Sequence, residues 1–225
     1  MPDTDERKDM SSAEKDARAI PMLFTNVESR FQALESKLQK IPLLHHQKTE
    51  TPLLFYVGFL EAVKASLLLL KEDLLEPAAA TTRLAFEHLF AAVACAKNPS
   101  YFDTLKESDR QEMEEWVAVL GWKGMFSFGP DDEASSKNRK VTFKARAKDA
   151  GLEDLYNQNY KLLSKTGAHA SILFASLTRQ SDETQLPKLN LKIAVIVHLR
   201  CCIEHFEKLW EQYPITVPSP DKNPQ

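Results

Sequence analysis

Apolar residues recur at three- and four-residue steps along most of this chain, the spacing of one helix face. Phe24, Val27, Phe31, Leu34 and Leu38 place a first helix between Ala13 and about Lys40. The linker "IPLLHHQKTETP" follows. Thr51 then suits an N-cap and Pro52 a first helical position, for a second helix running to about Glu76, with Pro77 ending it or opening the next. The Ala-rich run "AAATTRLAFEHLFAAVACAK" predicts a third helix, stopped by Asn98-Pro99. A shorter fourth is expected from Ser108 to Leu120, with Met113, Trp116, Val117 and Leu120 on one side.

Further along, "GWKGMFSFGPDDEASS" reads as an aromatic loop that packs on the domain or covers a pocket. "KNRKVTFKARAKDAG" predicts a basic helix, and "LEDLYNQNYKLLSKTG" another that Gly167 ends. The last helix is expected from about Lys188 to Tyr213. Its start, "LNLKIAVIV", has strand propensity, but the continuation "HLRCCIEHFEKLW" keeps the helical period. The expected fold is an all-α bundle of about six to eight helices. Its organisation is a disordered N-terminus over residues 1–12, a single helical domain over 13–213 and a proline-rich tail over 214–225.

Composition sharpens this. With 6 glycines in 225 residues, an all-β fold rich in tight turns is excluded, and 43% hydrophobic residues support a real core. The net charge of −3 argues against a wholly basic nucleic-acid binder. Three cysteines, Cys95, Cys201 and Cys202, show no disulfide framework and fit a reduced, cytoplasmic protein. The run "LLFYVGFLEAVKASLLLL" is long enough to span a membrane. Glu61 and Lys64 sit near its middle, where a charge would cost about 2.5–3.5 kcal/mol in a bilayer. Three apart, they can pair with each other, so a buried core helix and no membrane partner are expected.

Two segments carry candidate chemistry. In the third helix Arg83 and Glu87 lie four apart and share a face, and Glu87 and His88 are the only polar residues from Leu84 to Ala96. Charges on so apolar a helix must be paired or open onto a cavity. They either hold neighbouring helices in register or present a guanidinium to a small anionic ligand. In "NYKLLSKTGAHAS", Tyr160 and Ser164 continue a stripe from Tyr156, and His169 follows Gly167. Either this trims a helix end, or His169 moves a proton while Ser164 or Tyr160 binds or orients a substrate. A serine nucleophile would lack the G-x-S-x-G elbow.

Together, "RLAFEHLFAAVACAKNP" and "YKLLSKTGAHAS" resemble a widespread family of uncharacterised, mainly bacterial helical proteins, a domain of unknown function with Arg-x3-Glu and Tyr-x3-Ser…His motifs. The resemblance covers roughly Leu53 to Leu177 and marks Arg83, Glu87, Tyr160, Ser164 and His169; it implies no activity. The spacings Arg83…His88 and Arg200…His205 resemble, less specifically, the Arg-x4-6-His signature of HEPN-type ribonucleases, which act without metal and often serve in defence systems. That resemblance implies RNA as substrate and Arg200 with His205 as an alternative nuclease pair.

A basic stripe of Lys137, Lys140, Lys144 and Lys148 is either a solvated face or a track for a polyanion such as RNA. No metal or other cofactor is expected. His45, His46 and Glu50 lack a zinc-type pattern, and His198 and His205 share a face without a third ligand. Two function classes stay open: a binding or interaction module, regulatory or defence-associated and compatible with a homodimer, and a metal-independent ribonuclease.

Overall fold

The computed structural model describes residues 12–39, 53–120, 141–167 and 185–213, and over these the fold is all-α. The helices are α1 (Ser12–Gln39), α2 (Leu53–Lys71), α3 (Leu75–Lys97), α4 (Tyr101–Leu120) and α5 (Phe143–Asp149). Next comes a rod built of α6 (Glu153–Leu155), a π-helical turn (Tyr156–Tyr160) and α7 (Lys161–Gly167), followed by α8 (Gln185–Gln212).

The third helix is the hub. It packs against α2, α4, α5, α7 and α8, and its run from Leu89 to Cys95 is buried without a break. Over that run the helix is apolar on all sides, and such a segment has to be enclosed. The hairpin it forms with α2 turns through Asp73 at φ 59°, a left-handed position that Asp tolerates better than most residues. That turn ends α2 at Lys71, five residues short of the expected Glu76. Pro77 falls in the first turn of α3, where no backbone N–H is needed for the helix ladder. Across the hairpin, buried Ser66 and Thr82 meet at 3.2 Å, and Ser66 donates to Thr81 at 2.8 Å. Each hydroxyl also lies within hydrogen-bond reach of a carbonyl in its own helix, so this polar seam fixes register without an orphaned group.

The last helix lies along α3 and α1. Phe206 stacks on Phe59 of α2 at 4.0 Å and 8°, with Tyr56 edge-on at 5.1 Å. At the rim of this core Arg30 of α1 bonds Glu204 and Glu207 of α8, and Glu28 bonds Lys71 of α2. Lys64 reaches Glu35 of α1 at 3.8 Å, so it is paired across helices rather than with Glu61. Among the described residues α2 is the one helix long and apolar enough to cross a membrane, and one of its faces is packed into the protein.

Two other expectations change. The fourth helix begins at Tyr101, seven residues before Ser108. Ser108 is buried in mid-helix, where its hydroxyl accepts the Val141 N–H at 3.1 Å and so ties the entry of α5 to α4. The basic helix is shorter than its charge pattern suggests. Thr142 caps it by accepting the Ala145 N–H, and Gly151 closes it at φ 69°. A Cβ at Gly151 would also run into the Lys97 ammonium group, which bonds the Ala150 carbonyl at 2.5 Å.

Phe206 is fully buried among aromatic rings, so Phe206→Ala should lower the unfolding free energy by about 3–5 kcal/mol. Chemical denaturation measures this; a loss under about 1 kcal/mol would mean that α8 does not pack as described.

Candidate functional site

Where α3 meets the π-helical turn, three polar side chains close a triangle. The Arg83 Nε–H points at both the Glu87 Oε1, 3.0 Å away, and the Tyr160 hydroxyl oxygen, also 3.0 Å away. The Tyr160 hydroxyl in turn donates to Glu87 Oε1 at 2.8 Å. The pair one turn apart on α3 is thus completed by a residue 77 positions downstream of Arg83. The two segments singled out in the sequence do meet, and Tyr160 is the contact.

Aromatic rings wall the triangle. The Arg83 guanidinium carbon lies 5.3 Å from the Tyr160 ring and 6.0 Å from Phe143 of α5. Tyr160 stacks on Tyr156 at 5.0 Å and 19°, and both rings pack on Phe90. Such walls raise the value of each charge–dipole contact by excluding water. Tyr160 is buried, and burial together with the Glu87 charge pushes its phenol up to about 12. Burial works against the Arg83 cation, but the Tyr160 hydrogen bond and the Glu87 charge outweigh it and raise its pKa. Neither group releases a proton near neutrality.

The guanidinium is only partly used. Nε serves both partners, while the two terminal amino groups have no partner among the described residues. The Arg83 side chain is 26% exposed and that of Glu87 14%, so the open edge of the triangle belongs to the arginine.

The π-helical turn places Tyr160. Lys161 N–H bonds the Tyr156 carbonyl, five residues back, before α7 resumes the regular ladder. Such single π-turns are frequent at functional sites. Asn159, on the same turn, donates its amide to the Leu155 carbonyl at 3.3 Å and faces His198 Nδ1 of α8 at 2.7 Å. His198 and Asn159 were not singled out as partners in the sequence; only the i, i+39 structure joins them.

Other candidates are placed as follows. Ser164 is half-buried on α7, one turn past Tyr160, with no hydrogen-bond partner among the described residues. His169, Lys137 and Lys140 lie outside the described residues, as do the aromatic loop and the His45, His46 and Glu50 cluster. Lys144 is exposed and lies 3.8 Å from Glu153, and Lys148 is exposed. Arg200 bonds Glu204 at 2.9 Å, whereas His205 points Nδ1 at the Cys201 carbonyl at 2.9 Å. The two are held separately, as expected of helical positions five apart, which diverge by about 140°. The same divergence parts Arg83 from His88, whose ring lies over Gly58 of α2, filling the space a Cβ would take. Among the described residues no group of three metal-ligating side chains occurs.

Arg146 was missed as an individual. It read as one charge in a basic run, yet its side chain is 13% exposed, its guanidinium sits 5.0 Å from Phe143, and Nη2 reaches Asp109 at 3.3 Å. A signal existed: two residues past Lys144, it lies about 200° from the lysine stripe, on the inward side.

A family model described as Family of unknown function (DUF5677) matches residues 50–186, more than half of the chain. The chain belongs to that family. No curated protein and no solved structure matches it.

The buried imidazoles set a pH window. Burial lowers the pKa of His198, and burial with the Arg146 charge lowers that of His88, below the ordinary 6.5. The unfolded chain therefore takes up these protons first as pH falls. Stability is full above about 6.5 and is lost as pH drops from there towards the depressed folded values. Glu204, whose carboxyl is held low chiefly by its bond to Arg200, acts only below about 4.5. The urea midpoint should thus fall between pH 7.5 and 5.5, and a His88→Gln/His198→Gln variant should lose most of that fall. An equally steep fall in the variant would show that these imidazoles are not the buried neutral groups.

Proposed function

We propose that this family member is a binding module whose Arg83–Glu87–Tyr160 cluster captures a small anionic ligand. One observation carries the reading: Arg83 spends Nε on the protein and keeps both terminal amino groups free among the described residues. Those two amino groups are the fork that a carboxylate or phosphate oxygen pair accepts. Glu87 and Tyr160 lock the guanidinium plane, so little freedom is lost when an anion docks.

Binding is favoured over catalysis by the groups present. An arginine and a tyrosine with its phenol near 12 are poor proton carriers at neutral pH, and Glu87 is occupied by both. A cytoplasmic setting fits three free cysteines, two of them buried. The finer assignment to regulation or defence belongs to the same proposal and follows the ligand.

Titration with inorganic phosphate, followed by calorimetry, tests the reading. Arg83→Gln should weaken binding at least about tenfold, the size of one lost charge-assisted fork. Glu87→Gln should strengthen it several-fold, because the competing negative charge goes while the hydrogen-bond acceptor stays. A purely structural ion pair predicts lower stability in both variants and no phosphate binding in either or in the wild type. RNA cleavage by the wild type that is lost in Arg200→Ala would instead support the ribonuclease alternative.

A further inference from the structure

The π-helical turn grips two helices at once. Tyr160 reaches α3, and the residue before it, Asn159, reaches α8. The direction of the second contact follows from hydrogen-bond chemistry. Asn159 donates Nδ2–H to Leu155, which turns its carbonyl oxygen towards His198. His198 must then carry its proton on Nδ1 and donate it at 2.7 Å. Nε2 is left as a bare acceptor, and it is buried with no partner among the described residues. The His198 residue is 9% exposed.

A half-satisfied imidazole in a helix interface is a poor way to gain stability. A leucine pair of similar size would bury more apolar surface and remove the unpaired Nε2. A group kept against stability and joined to the turn that carries a site residue points to a role in the site.

We infer that Asn159 and His198 are positioning residues for the anion site: their bond anchors the π-helical turn to α8 and so holds the Tyr160 hydroxyl on Arg83 and Glu87. The inference rests on the anion-binding reading above and adds residues that touch no ligand. Asn159 and Tyr160 are adjacent in one hydrogen-bonded turn, so clamping that turn to α8 through Asn159 restrains Tyr160 from swinging away from α3. Tyr160 in turn sets the plane of the guanidinium through the 3.0 Å contact to Nε. Without the clamp the turn can relax to the regular ladder of its neighbours, and the hydroxyl shifts along α3.

The test is the double variant Asn159→Leu/His198→Leu, studied in the full chain with inorganic phosphate as probe. Its urea midpoint is expected to equal or exceed that of the wild type, while phosphate affinity falls about tenfold. In a Tyr160→Phe background the same pair of substitutions should change affinity by less than about twofold, because the group they position is already gone. Merely structural residues would move stability and leave affinity alone. If the leucine pair does not fold, Asn159→Ala replaces it, with the same expected loss and the same dependence on Tyr160.

Three outcomes separate the claims. Arg83-dependent phosphate binding that survives removal of the pair overturns the positioning role alone. An affinity loss of the same size with and without the Tyr160 hydroxyl also overturns it, since the pair would then act by another route. Failure of the wild type to bind phosphate, or full binding by Arg83→Gln, removes the anion reading and this inference with it.

Discussion

A cation on a buried helix is the constraint from which the rest of this structure follows. The third helix is apolar enough to be enclosed by five neighbours, yet it carries Arg83. An arginine cannot shed its proton to escape burial, so the fold must supply acceptors. Glu87 supplies one from the same face. Tyr160 supplies the second from a different segment, and its delivery requires the rod after α5 to pack against α3 at a set height. The same rod stacks Tyr156 behind Tyr160, while Phe143 of α5 lies 6.0 Å from the guanidinium carbon. The interaction therefore links the hub helix, the π-helical turn and the aromatic walls into one unit.

Two styles of buried polar contact coexist around α3. The Ser66, Thr81 and Thr82 seam is fully satisfied and needs only small hydroxyls that fall back on their own helix carbonyls. Such a seam sets register at little cost. The contacts near the π-helical turn differ. Among the described residues His198 Nε2 and Arg146 Nε are buried without partners, and a helical ladder is broken to a five-residue step. Natural folds depart from the most stable arrangement chiefly where something other than stability is at stake. The π-helical turn bears Tyr160, Arg146 shares α5 with Phe143 and His198 of α8 bonds the π-helical turn; a third unpaired group, the Tyr101 hydroxyl, lies on α4, and among the described residues none lies in the α2–α3 hairpin.

Much of this was legible in the sequence because helices announce themselves by period. The apolar stripe of α1, the stop at Asn98-Pro99 and the α8 segment all lie where spacing put them. Arg83 and Glu87 stood out because charge in an apolar run is rare, and Tyr160 because it continued a stripe. Ser108 misled because a serine before acidic residues has the same local look at a helix start and in mid-helix; only its contact with Val141 distinguishes the two. Asn159 and His198 were invisible as a pair, since nothing local joins residues 39 apart. The π-helical turn has no sequence period of its own. It carries two tertiary contacts on adjacent residues, and tertiary contacts are what one-dimensional patterns omit.

The central claim is that the outer edge of the Arg83 guanidinium is a vacant anion fork. A crystal structure of the full chain grown with selenate reads it most directly, because the anomalous signal of selenium locates the anion without reference to the protein map. The account predicts an anomalous peak within hydrogen-bond reach of both terminal amino groups of Arg83, with Nε still on Tyr160 and Glu87. Terminal amino groups fully bonded to protein atoms, with selenium absent from them, would contradict it.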